Sequence, residues 1–135
     1  MPVLLCPRTP FKLDFKKPVS IYDDVVIQGK PKNGSSEEFT IELIHRFGVA
    51  LQLKASVMSG ANENMVVSCE PGKKETKLPT PFYARQAFEL KIQNRVGVYQ
   101  IFLDEKHLCD VQKASLADVI AINVQGPLEL TEIRH

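Results

Sequence analysis

No tryptophan occurs in this 135-residue chain, so no site that depends on an indole ring can be built. Cysteine is scarce too: Cys6, Cys69 and Cys109 form an odd set with no CxxC spacing. That set fits reduced thiols and speaks against a disulfide framework or a thiolate zinc site. The three histidines, His45, His107 and His135, have no ligand-spaced partners and read as solvated residues of turns or the terminus, which leaves no metal site. An enzyme would need a converging nucleophile, base and orienting group, or paired carboxylates in a cleft. No motif for either is present, so the chain is expected not to be an enzyme and to need no cofactor.

Long hydrophobic runs are missing, so no membrane-spanning helix is expected. The N-terminal MPVLLCPRTP holds only a short apolar run between prolines, too short for a signal-peptide core. An excess of charge is absent as well: 17 basic and 16 acidic residues leave a formal +1. No global attraction to nucleic acid or membrane follows from that balance. A cytoplasmic setting is expected.

What is present is alternation. Phe88, Leu90 and Ile92 alternate with Glu89, Lys91 and Gln93, the period of a strand with one face buried and one wet. Asn94 to Gly97 then turns the chain into Val98 to Leu103, predicting a hairpin. The preceding Pro81-Phe82 reads as a loop that drops an aromatic anchor into the core.

Similar strands are predicted along the whole chain. Residues 1–18 carry four prolines and suit an extended edge segment, in which Phe11, Leu13 and Phe15 alternate with Lys12, Asp14 and Lys16. Val19 to Gly29 is predicted as one strand, and Asn33-Gly34 as a turn. Phe39, Ile41 and Leu43 alternate, then Val49, Leu51 and Leu53, with a turn at His45 to Gly48 between them. Met65 to Cys69 forms a short strand stopped by Pro71-Gly72. After the hairpin come Leu108 to Val111 and the stretch Lys113 to Gln125. Leu116, Val119 and Ile120 of that stretch also match a helical face, but its β-branched residues favour a strand. Leu128, Leu130 and Ile133 supply the last strand.

About ten short strands, regular turns and no convincing helix predict one all-β domain over 1–135, a sandwich or barrel. Leu51, Phe88, Leu90, Ile92 and Ile101 are expected between the sheets. Phe11, Phe39, Phe82, Phe88 and Phe102 are read as core.

Order and spacing resemble the galectins, the β-galactoside-binding lectins. The resemblance is carried by Pro10-Phe11-x-Leu13, Phe39-x-Ile41-x-Leu43, Val49-Ala50-Leu51, Val66-Val67 and Gly72 followed by Pro81-Phe82. It continues through Phe88-Glu89-Leu90-x-Ile92, the run from Tyr99 to Leu108, Ile122-x-Val124-x-Gly126 and Leu128-x-Leu130. It implies a jelly-roll or concanavalin-like sandwich of two antiparallel sheets, with sugar held in a concave groove. It also implies pairing into a homodimer through edge strands near the N-terminus, and non-classical secretion beside a cytoplasmic pool.

The implied groove residues depart from the family pattern. Where galectins carry His-x-Asn-x-Arg, the chain has Gln52, Lys54 and Ser56. Val67 lies on the next strand, the Asn position falls on Cys69 and the Trp position on Pro71. The Glu and Arg positions fall on Lys74 and Thr76. The chain therefore resembles galectin-related proteins that lack the sugar-binding residues. Two readings follow: an interaction module that has lost lactose binding and takes a protein ligand, or a lectin of altered specificity for anionic or sulfated glycans. Lys54, Lys73, Lys74 and Lys77 are the basic cluster that would serve the second, against the plainer reading of a solvated lysine rim.

Overall fold

The computed structural model describes residues 3–5, 11–32, 38–57, 64–69, 75–83, 85–114 and 117–135. Among them the chain forms twelve strands and no helix. In chain order these are β1 (Val3–Leu5), β2 (Phe11–Val19), β3 (Asp24–Pro31), β4 (Glu38–His45), β5 (Gly48–Ser56) and β6 (Asn64–Ser68). They continue with β7 (Thr76–Pro79), β8 (Phe88–Arg95), β9 (Val98–Leu103), β10 (Lys106–Gln112), β11 (Val119–Gln125) and β12 (Leu128–Arg134). Two six-stranded antiparallel sheets result. Sheet A has the order β1-β12-β3-β8-β9-β10 and sheet B the order β2-β11-β4-β5-β6-β7. Of the all-β sandwich or barrel that the alternation predicts, the chain forms the two-sheet sandwich that the resemblance implies.

Period two places one side of each strand in the core. Phe39, Ile41 and Leu43 of β4 and Leu51, Leu53 and Ala55 of β5 come from sheet B. Phe88, Leu90 and Ile92 of β8 and Tyr99 and Ile101 of β9 come from sheet A. All are buried in one continuous hydrophobic cluster, and that shared burial is the main force holding the sheets together. Where the period breaks, a bulge explains it. Leu130 pairs with Gly29 but Glu132 pairs with Gln28, so Thr131 is an extra residue. The insertion moves the next inward side chain from position 132 to Ile133, which is why Leu128, Leu130 and Ile133 are all buried.

Four expectations need correction. The predicted strand Val19 to Gly29 is two elements, because Ser20 to Asp23 makes a turn in which the Asp23 amide donates to the Ser20 carbonyl (3.0 Å) and the Ser20 amide donates to the Asp23 carboxylate (2.9 Å). The strand predicted over Lys113 to Gln125 begins only at Val119. Phe102 is not core: it lies opposite Lys91 and His107, on the outer face of sheet A, with the Lys91 ammonium 5.5 Å above its ring. His45 is buried rather than solvated, its Nδ1 accepting the Phe47 amide at 3.0 Å.

At one end of the sandwich a polar network locks the β2–β3 turn. Buried Asn94 donates through its side chain to the Val19 carbonyl (3.2 Å). Its backbone accepts from the Tyr22 amide (2.7 Å) and donates to the Asp23 carbonyl (3.0 Å). Lys113 donates to the Asn94 side-chain oxygen and lies 4.9 Å over the Tyr99 ring. Burial lowers the Lys113 pKa, while Cys69 and Asp118 oppose that shift. The same burial, helped by Cys69 and Asp118, pushes the Tyr99 phenol up and keeps it protonated.

Within the locked turn Tyr22 sits at φ 74°, a left-handed conformation at the third position of a turn where glycine is the unstrained choice. Its side chain is 73% exposed and has little packing to lose. Tyr22→Gly is expected to raise stability by about 0.5–1 kcal/mol, the relief of strain exceeding glycine's extra chain entropy. A urea midpoint that rises at unchanged slope is the expected signature. A fall would mean that the ring packs more than its exposure implies.

Candidate functional site

The outer face of sheet B is built from residues that alternate with the core. Gln52, Lys54 and Ser56 alternate with buried Leu51, Leu53 and Ala55, so the three share the outer face of β5. Directly opposed residues of paired strands share a face, and the registers therefore extend this one into rows. One row reads Lys12, Asn123, Glu42, Gln52 and Ser68 across β2, β11, β4, β5 and β6. The next reads Gln125, Thr40, Lys54, Val66 and Lys77 across β11, β4, β5, β6 and β7. Glu38 and Ser56 begin a third.

This placement corrects part of the expected groove. Val67 is fully buried opposite Leu53, and Cys69 belongs to the hydrophobic cluster, so both face the core. Thr76 pairs with Val67 and shares its inward side. Ser68 holds the position opposite Gln52 that the resemblance assigns to Cys69. Pro71, Lys73 and Lys74 lie outside the described residues. The structure thus brings together Gln52, Lys54 and Ser56 from the expected set and adds Thr40, Glu42, Val66, Lys77, Asn123 and Gln125, whereas Ser68 of the same row is only 2% exposed. A signal for Asn123 and Gln125 exists in the sequence, since they alternate with Ile122 and Val124, which are buried.

The chemistry of the face is polar and uneven. The Gln52 amide donates to the Glu42 carboxylate at 2.8 Å, which ties one hydrogen-bonding group to another and fixes its orientation. Lys54 and Lys77 are exposed and have no ion-pair partner among the described residues. They stand two strand spacings apart, about 10 Å. Amides, hydroxyls and two ammonium groups can bond hydroxyl or anionic groups of a ligand. The rows contain no aromatic residue on which the apolar face of a sugar could stack.

Cysteine chemistry is muted. Burial, with Asp110 adding to it, pushes the Cys109 thiol up to about 11, so it stays protonated at neutral pH and is a poor nucleophile. Among the described residues no cluster of three metal-ligating side chains occurs. No helix among them is long and apolar enough to cross a membrane.

Comparison with known proteins places this geometry in a family. Residues 10–135 match the family model of the galactoside-binding lectins. The fold superposes on galectin LEC-6 of Caenorhabditis elegans with a TM-score of 0.83 at 20% identity, covering 98% of this chain and 96% of that one. A variant of human galectin-16 superposes at 0.78 and 20% identity, with 97% of each chain covered. Sheep galectin-11, solved with glycerol, superposes at 0.73 and 21% identity, covering 95% of this chain and 98% of that one. At such identities the superpositions establish the fold, whereas the family match spans nearly the whole chain. The chain belongs to the galactoside-binding lectins, the galectins.

Proposed function

We propose that this galectin is a non-enzymatic binding module whose sheet B face no longer holds simple β-galactosides and instead takes another ligand. The observation that carries the reading is the outer face of β5, where Gln52, Lys54 and Ser56 supply an amide, an ammonium and a hydroxyl in place of the His, Asn and Arg that the resemblance implies. A neutral sugar is held by several bidentate polar contacts and by an aromatic ring beneath its apolar face. Lysine gives no bidentate geometry and loses more rotamer freedom when ordered. Charge-assisted hydrogen bonds contribute about 1.5–3 kcal/mol each, and a millimolar ligand has only about 4 kcal/mol in total. Losing two such contacts removes measurable affinity. Calorimetric titration with lactose is expected to give no saturable heat, and a dissociation constant tighter than about 1 mM would overturn the reading.

A second reading is favoured by the pair Lys54 and Lys77, which have no carboxylate partner among the described residues. Their spacing suits an anionic glycan, such as a sulfated one, lying across β5, β6 and β7. Binding of this kind weakens steeply with added salt and should be lost in Lys54→Ala combined with Lys77→Ala. Consistent hits on a glycan array with both properties would select this reading over a protein ligand. Hits that ignore salt would remove it.

A further inference from the structure

Among the described residues, five of the six large hydrophobic side chains left in water lie at one end of the sandwich: Ile21, Tyr22, Phe47, Val96 and Ile120. The pairings put them there. Val19 at the end of β2 faces Val119 at the start of β11, beside the β4–β5 turn that carries Phe47. The Tyr22 amide donates to the Asn94 carbonyl (2.7 Å), which sets the β2–β3 turn against the β8–β9 turn that carries Val96. The same end holds a cleft of about 410 Å³ lined by Pro18, Arg46, Ala117, Asp118 and Ile120. Exposed apolar residues scattered singly are ordinary, whereas a group gathered at one end marks an interaction site.

Two of these rings are kept in water against local preference. Tyr22 holds a left-handed φ of 74° where glycine is unstrained, and its exposed ring gains little packing in return. Phe47 is 76% exposed yet braced: its amide donates to His45 (3.0 Å), and the Arg46 guanidinium lies 4.9 Å over its ring. Strain and order spent on exposed rings serve contact with something outside the chain, not stability. The charges around them are uneven. Lys16, Lys17 and Arg46 are exposed and have no ion-pair partner among the described residues. Nearby, Asp24 pairs with Arg95 (3.1 Å) and Asp23 is hydrogen-bonded into its own turn. Asp118 shares the cleft with Arg46 without pairing to it.

We propose that this end of the sandwich docks on a phospholipid bilayer, the Tyr22, Phe47 and Val96 tips entering the boundary between headgroups and acyl chains while Arg46 and Asp118 take the phosphate and the ammonium of one headgroup. A phospholipid presents an anion, a cation and hydrocarbon together, and the cleft and its rim can bond all three. A purely anionic ligand would face Asp118, and a purely cationic one Arg46. The bilayer also suits the shape. Tips on three separate turns would each need a matching pocket on a rigid protein partner. A fluid interface accepts them as they stand, and aromatic residues favour it. Lys16 and Lys17 add attraction for an anionic leaflet. The sheet B face runs along the side of the sandwich and stays clear of such a bilayer, so the inference does not rest on the function proposed for that face. Three tips bury less hydrocarbon than an acyl chain, so binding is reversible, with half-saturation at about 1 mM lipid, weaker than a single myristoyl chain gives.

Co-sedimentation of the full chain with vesicles of phosphatidylcholine and phosphatidylserine, up to about 5 mM lipid, tests it. The wild type should bind. Binding should weaken several-fold in about 0.5 M salt without vanishing, because the charges are screened and the tips are not. Arg46→Glu and Phe47→Ser should each weaken it by about fivefold or more, with unchanged circular dichroism spectra showing that both variants fold. Tyr22→Gly should weaken it by about threefold while raising the urea midpoint, so unfolding cannot account for the loss. Lys54→Ala combined with Lys77→Ala should bind within about twofold of wild type, which separates this end from the sheet B face. A wild type that stays in the supernatant overturns the proposal and leaves the tips to a protein partner. So do turn variants that bind like wild type, binding that salt abolishes, or binding lost with Lys54 and Lys77, each of which assigns the contact to lysines alone.

Discussion

Truncating Phe82 to alanine is expected to lower stability by about 3–5 kcal/mol, the range for an aromatic removed from a packed core. Phe82 belongs to neither sheet. It is carried by the segment between β7 and β8, yet only 2% of it is exposed. Its ring meets Phe39 of sheet B at 4.9 Å and Phe88 of sheet A at 5.0 Å, both edge-on. Two aromatic contacts and a contribution to both sheets are lost together. The segment itself is pinned, since the Thr80 hydroxyl donates to the Ser56 carbonyl at 2.6 Å and accepts the Phe82 amide at 3.4 Å. The backbone therefore holds its course and leaves a cavity. Urea unfolding of Phe82→Ala beside Tyr83→Ala provides the comparison, because Tyr83 is 49% exposed and its loss should stay within about 0.5 kcal/mol. A Phe82 effect below about 1 kcal/mol would mean that the ring is not the bridge its contacts describe.

That bridge is legible in the sequence as a position but not as a role. Pro81-Phe82 reads as a loop that buries an aromatic, because nothing about it alternates. Which rings it meets depends on pairings distant in the chain. The strongly alternating strands are legible because each buries one face only, and for β4, β5, β8 and β9 the inward and outward sets follow directly. Other features have no local signature. The bulge at Thr131 adds one residue and shifts the period without any glycine on its own strand to mark it, since the glycine at the bulge, Gly29, lies on the paired strand β3. The turn at Ser20 to Asp23 sits between two apolar runs, Val19 and Val25 to Ile27, and divides them by hydrogen bonds to Asn94, far along the chain. Phe102 is apolar on a strand where its neighbours Ile101 and Leu103 are also apolar, so composition alone cannot say which of them faces out.

The binding face divides in the same way. Gln52 and Lys54 read as outward from the sequence because they oppose Leu51 and Leu53, and the structure agrees. On β6 the run Met65, Val66, Val67 is apolar on both faces, and its parity is unreadable by itself. Pairing with β5 settles it by setting Ser68 opposite Gln52 and Val67 opposite Leu53, which turns Cys69 into the core. A short strand whose two faces are both apolar is the weakest place from which to read a site.

Gly126→Ala is expected to remove about 2–5 kcal/mol, combining backbone strain with overpacking. Gly126 joins β11 to β12 at φ 103°, a conformation that side chains resist. Space is short as well. A Cβ there would stand 2.6 Å from the Phe39 Cα, 2.7 Å from the Glu38 carbonyl oxygen and 2.8 Å from the Phe39 Cβ. The first two are backbone atoms at the start of β4, which cannot rotate away. Relief would have to come from shifting that strand, and with it the Phe39 ring packed on Phe82. The Leu128 amide, donating to the Gly126 carbonyl at 2.8 Å, holds the junction from the other side. Gly97 separates the two effects: it sits at φ 72° and a Cβ there would meet nothing within 4 Å, so Gly97→Ala should lose only the strain, about 1–2 kcal/mol. Urea unfolding of the two variants side by side reads the difference as the steric contribution. Equal losses would show that the β11–β12 junction moves freely and that the contact with β4 does not constrain the core.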